Sequence, residues 1–307
     1  MEDSVLMKDR KVERMPITCL ASTRDICGEG CVWHPPSNAV YWTDINRGLL
    51  HRCILKSATV ETWIFDQPVT AVVLTTQDDR IVLVLGGRIV LWNTQSQEEI
   101  DVLFRLPEWP AIRCNEARVD PVGVLWFGTM QNNVQSDGGT SKVTEWVGSL
   151  YSLRPGEAPT VWFQDFGIMN TLAWSPDGRT MYFGDTLRNC IYRGDFDPDA
   201  NTVANRQIFF EGFARGLPDG SSMDDEGHLW NCRYGGACIV RVAPDGSVAS
   251  ILETPVTNPT TCAFGGPELA TMFFTSAAGN VAPQGEAGSL FSCQVKVSGI
   301  RSTPLLL

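Results

Sequence analysis

Short runs of apolar residues alternate with turn residues along almost the whole chain. One pattern recurs six times: an apolar run, a turn rich in Pro, Asp or Gly, and a second apolar run that contains aromatic residues. The six copies lie in residues 31–45, 72–92, 118–130, 172–194, 222–242 and 262–277. Apolar runs this short, bounded by turn residues, are typical of β-strands. Each copy therefore predicts a β-meander.

The six copies follow one another at a nearly regular distance. The apolar residues that precede the turns are Trp33, Leu74, Val119, Trp174, Met223 and Phe264, at intervals of 41, 45, 55, 49 and 41 residues. Repeats of about 40–50 residues made of short strands are typical of propeller blades. Long amphipathic helical patterns are absent, which excludes doubly wound sheets and TIM barrels. The sequence predicts an all-β protein, a six-bladed β-propeller.

The ring of blades needs a device that closes it, because an open last blade would expose a bare strand edge. We expect residues 16–20 to supply the outer strand of the blade that contains residues 289–293. Residues 1–12 are then a flexible N-terminal tail, and residues 13–307 form a single propeller domain. No Pro/Gly/Ser-rich linker divides the chain.

Charge and composition narrow the choice of partners. The 307 residues include 24 Lys and Arg against 35 Asp and Glu, which gives a net charge of -11 and argues against nucleic-acid binding. No run of 18 apolar residues is present, so we expect no membrane span. The polar N-terminus and ten scattered cysteines indicate a cytoplasmic protein with free thiols. We expect a monomer or a weak homo-oligomer.

Polar residues precede the apolar run in four of the six repeats, where a propeller directs side chains toward its central axis. Each could simply cap a turn, but four in the same phase favour a common site. Two carboxylates and an amide oxygen suit a divalent cation. The candidates are Glu29 before the first repeat, Arg113, Asn115 and Glu116 before the third, Asn170 before the fourth, and Asp219 before the fifth.

Four stretches of the chain resemble the signature stretches of the gluconolactonase/regucalcin (senescence marker protein) family. They read GEGCVWHPPSNAVYWTDI, RCNEARVDPVGVLWFGTM, NTLAWSPDGRTMYFGDT and LPDGSSMDDEGHLW, in the family's order and at compatible spacing. The resemblance extends from about Cys27 to Phe274. It implies a six-bladed propeller that hydrolyses sugar lactones with one divalent metal at the top of its central channel.

Carried over position by position, the resemblance implies a role for each candidate. Glu29, Asn170 and Asp219 would bind the metal, which could be Ca²⁺, Zn²⁺, Mn²⁺ or Mg²⁺. Arg113 and Asn115 would contact the sugar. Glu116 is assigned to the same substrate-binding group, although the family usually has Asn-Asp-Gly where this chain has Asn115-Glu116-Ala117. The loop after Gly128-Thr129-Met130 reads Gln131-Asn132-Asn133 where the family often has a carboxylate, and it receives no role.

Two functions from different classes fit these residues. In the first, a small sugar lactone such as gluconolactone is hydrolysed to the aldonic acid, with the cation polarising the carbonyl and Asp219 acting as the general base. In the second, the same residues hold calcium in a non-catalytic propeller of the regucalcin type. Other hydrolase chemistries fit poorly, because the chain has only three histidines, no Gly-x-Ser-x-Gly motif and no P-loop.

Overall fold

The computed structural model describes residues 11–279 and 285–307, and it shows a β-propeller of six sheets. Within these ranges the only helical element is one 3₁₀ turn, Pro35–Ser37. Two short strands come before the first blade, β1 (Lys11–Glu13) and β2 (Ile17–Ala21). No helix of the described residues is long and apolar enough to cross a membrane.

Each blade takes its strands in chain order, as the repeats predict. Blade 1 contains β3 (Gly28–His34), β4 (Ala39–Asp44), β5 (Leu49–Ile54) and β6 (Thr59–Ile64). Blade 2 contains β7 (Val69–Leu74), β8 (Arg80–Leu85), β9 (Arg88–Asn93) and β10 (Glu99–Arg105). Blade 3 contains β11 (Ile112–Val119), β12 (Leu125–Gln131), β13 (Gly148–Leu153) and β14 (Thr160–Phe166). Blade 4 contains β15 (Met169–Trp174), β16 (Thr180–Asp185), β17 (Cys190–Asp197) and β18 (Thr202–Glu211). Blade 5 contains β19 (Leu217–Met223), β20 (Leu229–Tyr234), β21 (Cys238–Val242) and β22 (Val248–Glu253). Blade 6 contains β23 (Pro259–Gly265), β24 (Thr271–Ser276) and β25 (Leu290–Gln294).

The first strand of every blade lies nearest the central axis. The strands β3, β7, β11, β15, β19 and β23 contact one another in this order, and β23 contacts β3 again, so the ring is closed. All six run in the same direction from one face of the ring to the other. Side chains at the start of these strands therefore meet at one end of the channel. The candidate residues named from the sequence lie at this end.

The N-terminal strand closes the last blade, as predicted. Strand β2 pairs antiparallel with β25, with Ile17 opposite Cys293 and Thr18 opposite Ser292. Blade 6 is therefore assembled from the two ends of the chain. This pairing covers the backbone edge that β25 would otherwise expose.

The structure differs from the prediction at the boundary of the N-terminal tail. Residues 1–10 of that tail lie outside the described residues, but residues 11 and 12 belong to β1. Strand β1 pairs in parallel with β22 and becomes a fifth strand of blade 5, with Val12 opposite Ile251. The outer edge of β22 offers unpaired N–H and C=O groups, which explains why a short segment with no apolar pattern becomes a strand.

The core is divided among the seams between neighbouring blades. Trp42, Trp92 and Trp126 are fully buried, and the indole Nε1 of Trp42 donates to Asp25 while that of Trp126 donates to Asp120. Burial of such large aromatic surfaces contributes strongly to the stability of stacked sheets. All ten cysteines are unpaired, as the sequence predicts.

The C-terminal segment crosses the face of the ring opposite the start of the inner strands. Gly299 pairs with Asp224 of blade 5, and Leu305 pairs with Thr75 of blade 2. Leu305 is fully buried between blades 2 and 3. The segment therefore ties opposite sides of the ring together.

Candidate functional site

Every innermost strand has a shift of pairing register shortly after its start. The shifts lie between Glu29 and Val32, Val69 and Ala71, Cys114 and Ala117, Asn170 and Leu172, Pro218 and Ser221, and Pro259 and Cys262. A β-bulge bends the strand locally and redirects a side chain. The four candidates Glu29, Asn115, Asn170 and Asp219 all lie at these shifts, which is why equal phase in the sequence becomes proximity in space.

A cavity of about 460 Å³ opens at this end of the channel. Its wall includes five of the six candidate residues, namely Glu29, Arg113, Asn115, Asn170 and Asp219. Its outer rim includes residues 140–143 of the loop between β12 and β13, together with Asn46, Leu187 and Tyr234. The volume lies within the range of about 300–1,000 Å³ that is usual for small-molecule sites.

Asn170 links its neighbours on both sides. Its Nδ2 donates to Asp219 Oδ1 at 2.7 Å and to Thr186 Oγ1 at 3.0 Å. Its Oδ1 accepts from Asn115 Nδ2 at 3.2 Å, and the same Nδ2 also donates to the Met169 carbonyl at 2.9 Å. An amide oxygen has two lone pairs, so Asn170 Oδ1 keeps one for a further partner.

Glu29 and Asp219 place two carboxyl groups in a desolvated site. Burial is the main cause that raises the pKa of Asp219 to about 8, and the charge of Glu116 adds to it. Burial also raises the pKa of Glu29 well above its ordinary value, with further contributions from the charges of Asp219 and Glu116. Negative charge is therefore concentrated here with too little compensation from neighbouring residues.

Arg113 also lines the cavity and is 4% exposed. Its Nη1 donates to the Cys114 carbonyl at 3.0 Å and to Asn115 Oδ1 at 2.6 Å. Its Nε and Nη2 both donate to Asn133 Oδ1, at 3.2 and 3.0 Å. Burial lowers its pKa to about 10, so the guanidinium stays charged at neutral pH.

Glu116 is the one candidate that does not line the cavity. Its Oε1 accepts from the Ala117 amide at 3.0 Å, and it lies 4.0 Å from the Nε of Arg118. Arg118 extends across the channel and donates to the carbonyls of Ser221 and Cys262. The substrate contact expected for Glu116 stays a prediction, and the structure places its carboxylate near Arg118. Burial raises its pKa.

Sequence reasoning missed Asn133, which is the main partner of the Arg113 side chain. A signal for it exists in the hairpin register: Arg113 pairs with Met130, so the residues that follow β12 come to lie beside the start of β11. Reasoning from the repeats also missed Thr186 and Lys142, which lie in loops that line the cavity. Thr186 ends the signature stretch NTLAWSPDGRTMYFGDT, which could have pointed to it, whereas the loop of Lys142 carries no distinctive pattern.

The donor set fits a divalent cation bound by oxygen. Glu29 and Asp219 supply carboxylates and Asn170 an amide oxygen, from blades 1, 5 and 4. Among the described ranges, no three His, Cys, Asp or Glu side chains alone form a metal cluster, so the set depends on the amide of Asn170. The raised pKa values of both carboxyl groups fit a cation, since a bound positive charge would relieve their repulsion.

The chain belongs to the SMP-30/gluconolactonase/LRE-like family, the family of sugar lactonases that includes regucalcin. The family profile, described as "SMP-30/Gluconolactonase/LRE-like region", matches residues 27–278. This match covers all six candidate residues and every strand from β3 to β24, and the two strands of blade 6 that lie outside it are β2 and β25.

The chain is similar over most of its length to proteins with lactonase names. It is 31% identical to the pentonolactonase XacC of Haloferax volcanii, over 93% of this chain and 96% of that protein. It is also 31% identical to the 6-deoxy-6-sulfogluconolactonase of Pseudomonas putida, over 92% of this chain and 96% of that protein. Among solved structures, a calcium-binding protein, regucalcin, from Agrobacterium tumefaciens superposes with a TM-score of 0.87 at 28% identity, covering 96% of this chain and 98% of that one. Relatives of this chain are thus lactonases and a calcium-binding protein.

Proposed function

We propose that this protein hydrolyses a sugar lactone to the aldonic acid at the site formed by Glu29, Asn170 and Asp219. One observation carries the proposal: two buried carboxyl groups with raised pKa values line the same cavity as a charged arginine. The matched lactonases support the reaction type, and the geometry supplies residues for each part of it.

Glu29, Asn170 and Asp219 are proposed to hold one divalent cation, Ca²⁺, Zn²⁺, Mn²⁺ or Mg²⁺, through their side-chain oxygens. When bound there, the cation would polarise the lactone carbonyl and stabilise the negative charge that develops on its oxygen. The remaining steps are the work of the chain itself.

Asp219 is proposed to act as the general base. It removes a proton from water as the water oxygen attacks the carbonyl carbon, and it returns that proton to the ring oxygen when the carbon–oxygen bond of the ring breaks. The Asn170 amide holds Asp219 Oδ1 at 2.7 Å, so the direction of the carboxylate is fixed before substrate binds. Such a fixed orientation lowers the entropy cost of the reaction.

Arg113 and Asn115 are proposed to orient the sugar. Four hydrogen bonds from Arg113 to neutral acceptors keep its guanidinium in the cavity wall. A guanidinium has five N–H donors, so one donor is left for a substrate oxygen. Asn115 is held between Arg113 and Asn170 and therefore connects the sugar-binding side of the cavity to the carboxylates.

The alternative function is a calcium-binding propeller without catalysis, which the relation to regucalcin brings into consideration. Cation binding alone would need the three oxygen donors. It would not need a cavity of this volume with an arginine in its wall, and this difference favours the enzyme. We also propose that the protein works in the cytoplasm, because its ten cysteines are all unpaired. We propose that it does so as a monomer or weak homo-oligomer.

The proposal is tested by proton release from glucono-1,5-lactone, corrected for spontaneous hydrolysis. We expect a catalysed rate for the wild type with added cation and its loss in Glu29→Gln, which removes one carboxylate from the site. Glu98→Gln is the matched control, because Glu98 is an exposed residue away from the cavity. A wild type that binds the cation and hydrolyses no sugar lactone would refute the enzyme and leave the calcium-binding function.

A further inference from the structure

The cavity wall carries charges of both signs. The carboxyl groups are those of Glu29 and Asp219, and the cations are the buried Arg113 and the exposed Lys142. No other Asp, Glu, Lys or Arg lines the cavity among the described residues. A cation bound by the carboxylates would offset their charge and leave the positive charges of Arg113 and Lys142 in the wall.

Burial lowers the pKa of Arg113, and the nearby charges of Glu29 and Asp219 oppose this effect only in part and without direct contact. The four hydrogen bonds of its guanidinium go to Asn133, Asn115 and the Cys114 carbonyl, all of which are neutral. No carboxylate of the described residues forms an ion pair with it. Because Arg113 is almost fully buried, its charge is little screened by water and acts strongly within the cavity.

Lys142 adds a second cation at the rim, on the loop between β12 and β13. Neither an ion pair nor a hydrogen bond engages its side chain within the described part of the chain, so all three ammonium donors are available. Its position is set by its neighbour Ser141, whose amide donates to the Asn133 carbonyl at 2.8 Å. The loop thus carries both Lys142 and Asn133, the partner of Arg113.

The loop is fixed on its far side as well. Asn46, in the turn between β4 and β5, donates through Nδ2 to the Gly138 carbonyl and to Thr140 Oγ1, both at 2.9 Å. The antiparallel pairing of Val134 with Thr140 gives the loop its own short hairpin. Lys142 is therefore presented from an ordered segment that reaches from blade 3 to blade 1.

We propose that the preferred substrate is a sugar lactone that carries an anionic substituent, such as a phosphate, sulfonate or carboxylate, which Lys142 and the free Arg113 donor bind. The lactone ring then faces the carboxylate side of the cavity, and the anionic group faces the rim. This inference rests on the proposed function and adds the substrate class. Charge-assisted hydrogen bonds are about twice as strong as neutral ones, so the substituent gives both affinity and orientation.

The test compares two substrates that differ only in the charged group, glucono-1,5-lactone and its 6-phosphate. The measured quantity is the ratio of their kcat/KM values, phosphate ester over neutral lactone, after correction for spontaneous hydrolysis. We expect a ratio well above one for the wild type and a fall of about five- to tenfold in Lys142→Gln. Lys142→Arg should keep the ratio, since it retains the charge.

Two further variants separate a local effect from a general one. Lys56→Gln removes the same charge from an exposed turn at the other end of blade 1 and should leave the ratio unchanged. Asn133→Asp places a carboxylate beside Arg113 and should lower the ratio without touching Lys142. A wild-type ratio near one, or a ratio that Lys142→Gln and Asn133→Asp leave unchanged, would overturn the inference while lactone hydrolysis stands.

A binding measurement keeps the inference separate from catalysis. Calorimetric titration of the cation-loaded protein with 6-phosphogluconate and with gluconate compares the charged and the neutral chain end without any reaction. Tighter binding of the phosphate, weakened by Lys142→Gln and by added salt, supports the anion site even if no lactone is turned over. Equal affinity for the two ligands would contradict it.

Discussion

Asn170 Nδ2 lies 2.7 Å from Asp219 Oδ1 and joins blade 4 to blade 5 at the mouth of the channel. The neighbouring Thr171 repeats this link, because its Oγ1 donates to the Asp219 backbone carbonyl at 2.6 Å. Asp219 is thus held from blade 4 through both its side chain and its main chain. A carboxylate with this support keeps one orientation, which suits the roles of cation ligand and base that we propose for it.

Replacing Asp219 by Asn should separate cation binding from proton transfer. The amide oxygen of Asp219→Asn can still bind a cation, but it cannot accept a proton, so we expect kcat to fall by about 10²–10⁴-fold. Steady-state kinetics at saturating cation, beside a cation titration, measure the two effects. Asp245→Asn, in an exposed turn of blade 5, is the control for the lost charge. Wild-type turnover in Asp219→Asn would make Asp219 only a ligand and direct attention to Glu116.

Replacing Arg113 by Lys should affect substrate binding and leave the cation in place. Lysine keeps the charge but cannot reproduce the fork that holds Asn133 and Asn115 together. We expect kcat/KM to fall about 10- to 100-fold, which corresponds to the loss of one charged hydrogen bond. Elemental analysis should show the wild-type cation content. A loss of cation together with activity would place Arg113 in the metal site instead.

The cation-free protein should lose stability as the pH rises. The pKa of Asp219 is raised to about 8 by burial, whereas an Asp in an unfolded chain has a pKa of about 3.9. A group with a raised pKa in the folded state stabilises the fold below its unfolded pKa, and this contribution is lost as the pH approaches 8. Urea unfolding of chelated protein at pH 5 and pH 8 measures it. The loss should be smaller in Asp219→Asn, and an equal loss in both proteins would contradict the assignment.

Gly30 should tolerate no side chain, because it lies in the bulge that positions Glu29. Its φ is +60°, and an added Cβ would lie 2.9 Å from the Ala71 Cα of blade 2. Gly156 has a φ of +82° with open space around it, so Gly156→Ala measures the backbone strain alone. We expect Gly30→Ala to be less stable than Gly156→Ala by about 1–3 kcal/mol in denaturant unfolding. Equal stability of the two variants would show that the backbone of blade 2 shifts to make room for the added side chain.

The fold was readable from the sequence because each blade is a local unit. Turn residues and apolar runs define every meander from neighbouring residues, and closure by residues 16–20 followed from the need to cover a strand edge. The candidate site could be predicted because Glu29, Asn170 and Asp219 occupy the same position in their repeats, and in the structure they lie at equivalent bulges. No such local signal existed for β1, which is only three residues long and pairs with a strand more than 200 positions away.

The repeats did not predict the positions of Glu116, Asn133 and Lys142 around the cavity. Glu116 lies in the bulge of β11 with its carboxylate 4.0 Å from Arg118 Nε, and a sequence pattern does not report which way a bulged residue turns. Asn133 and Lys142 belong to a loop whose path depends on its contact with Asn46, a residue of a different blade. Long-range contacts of this kind require the folded structure.

The most direct test of the account is the titration of chelated wild-type protein with a divalent cation while proton release from glucono-1,5-lactone is followed. Because Glu29, Asn170 and Asp219 are proposed to provide one set of oxygen ligands, activity should be absent without the cation, rise in proportion to it, and reach its maximum at one equivalent per chain. Full activity in rigorously cation-free protein would contradict the account.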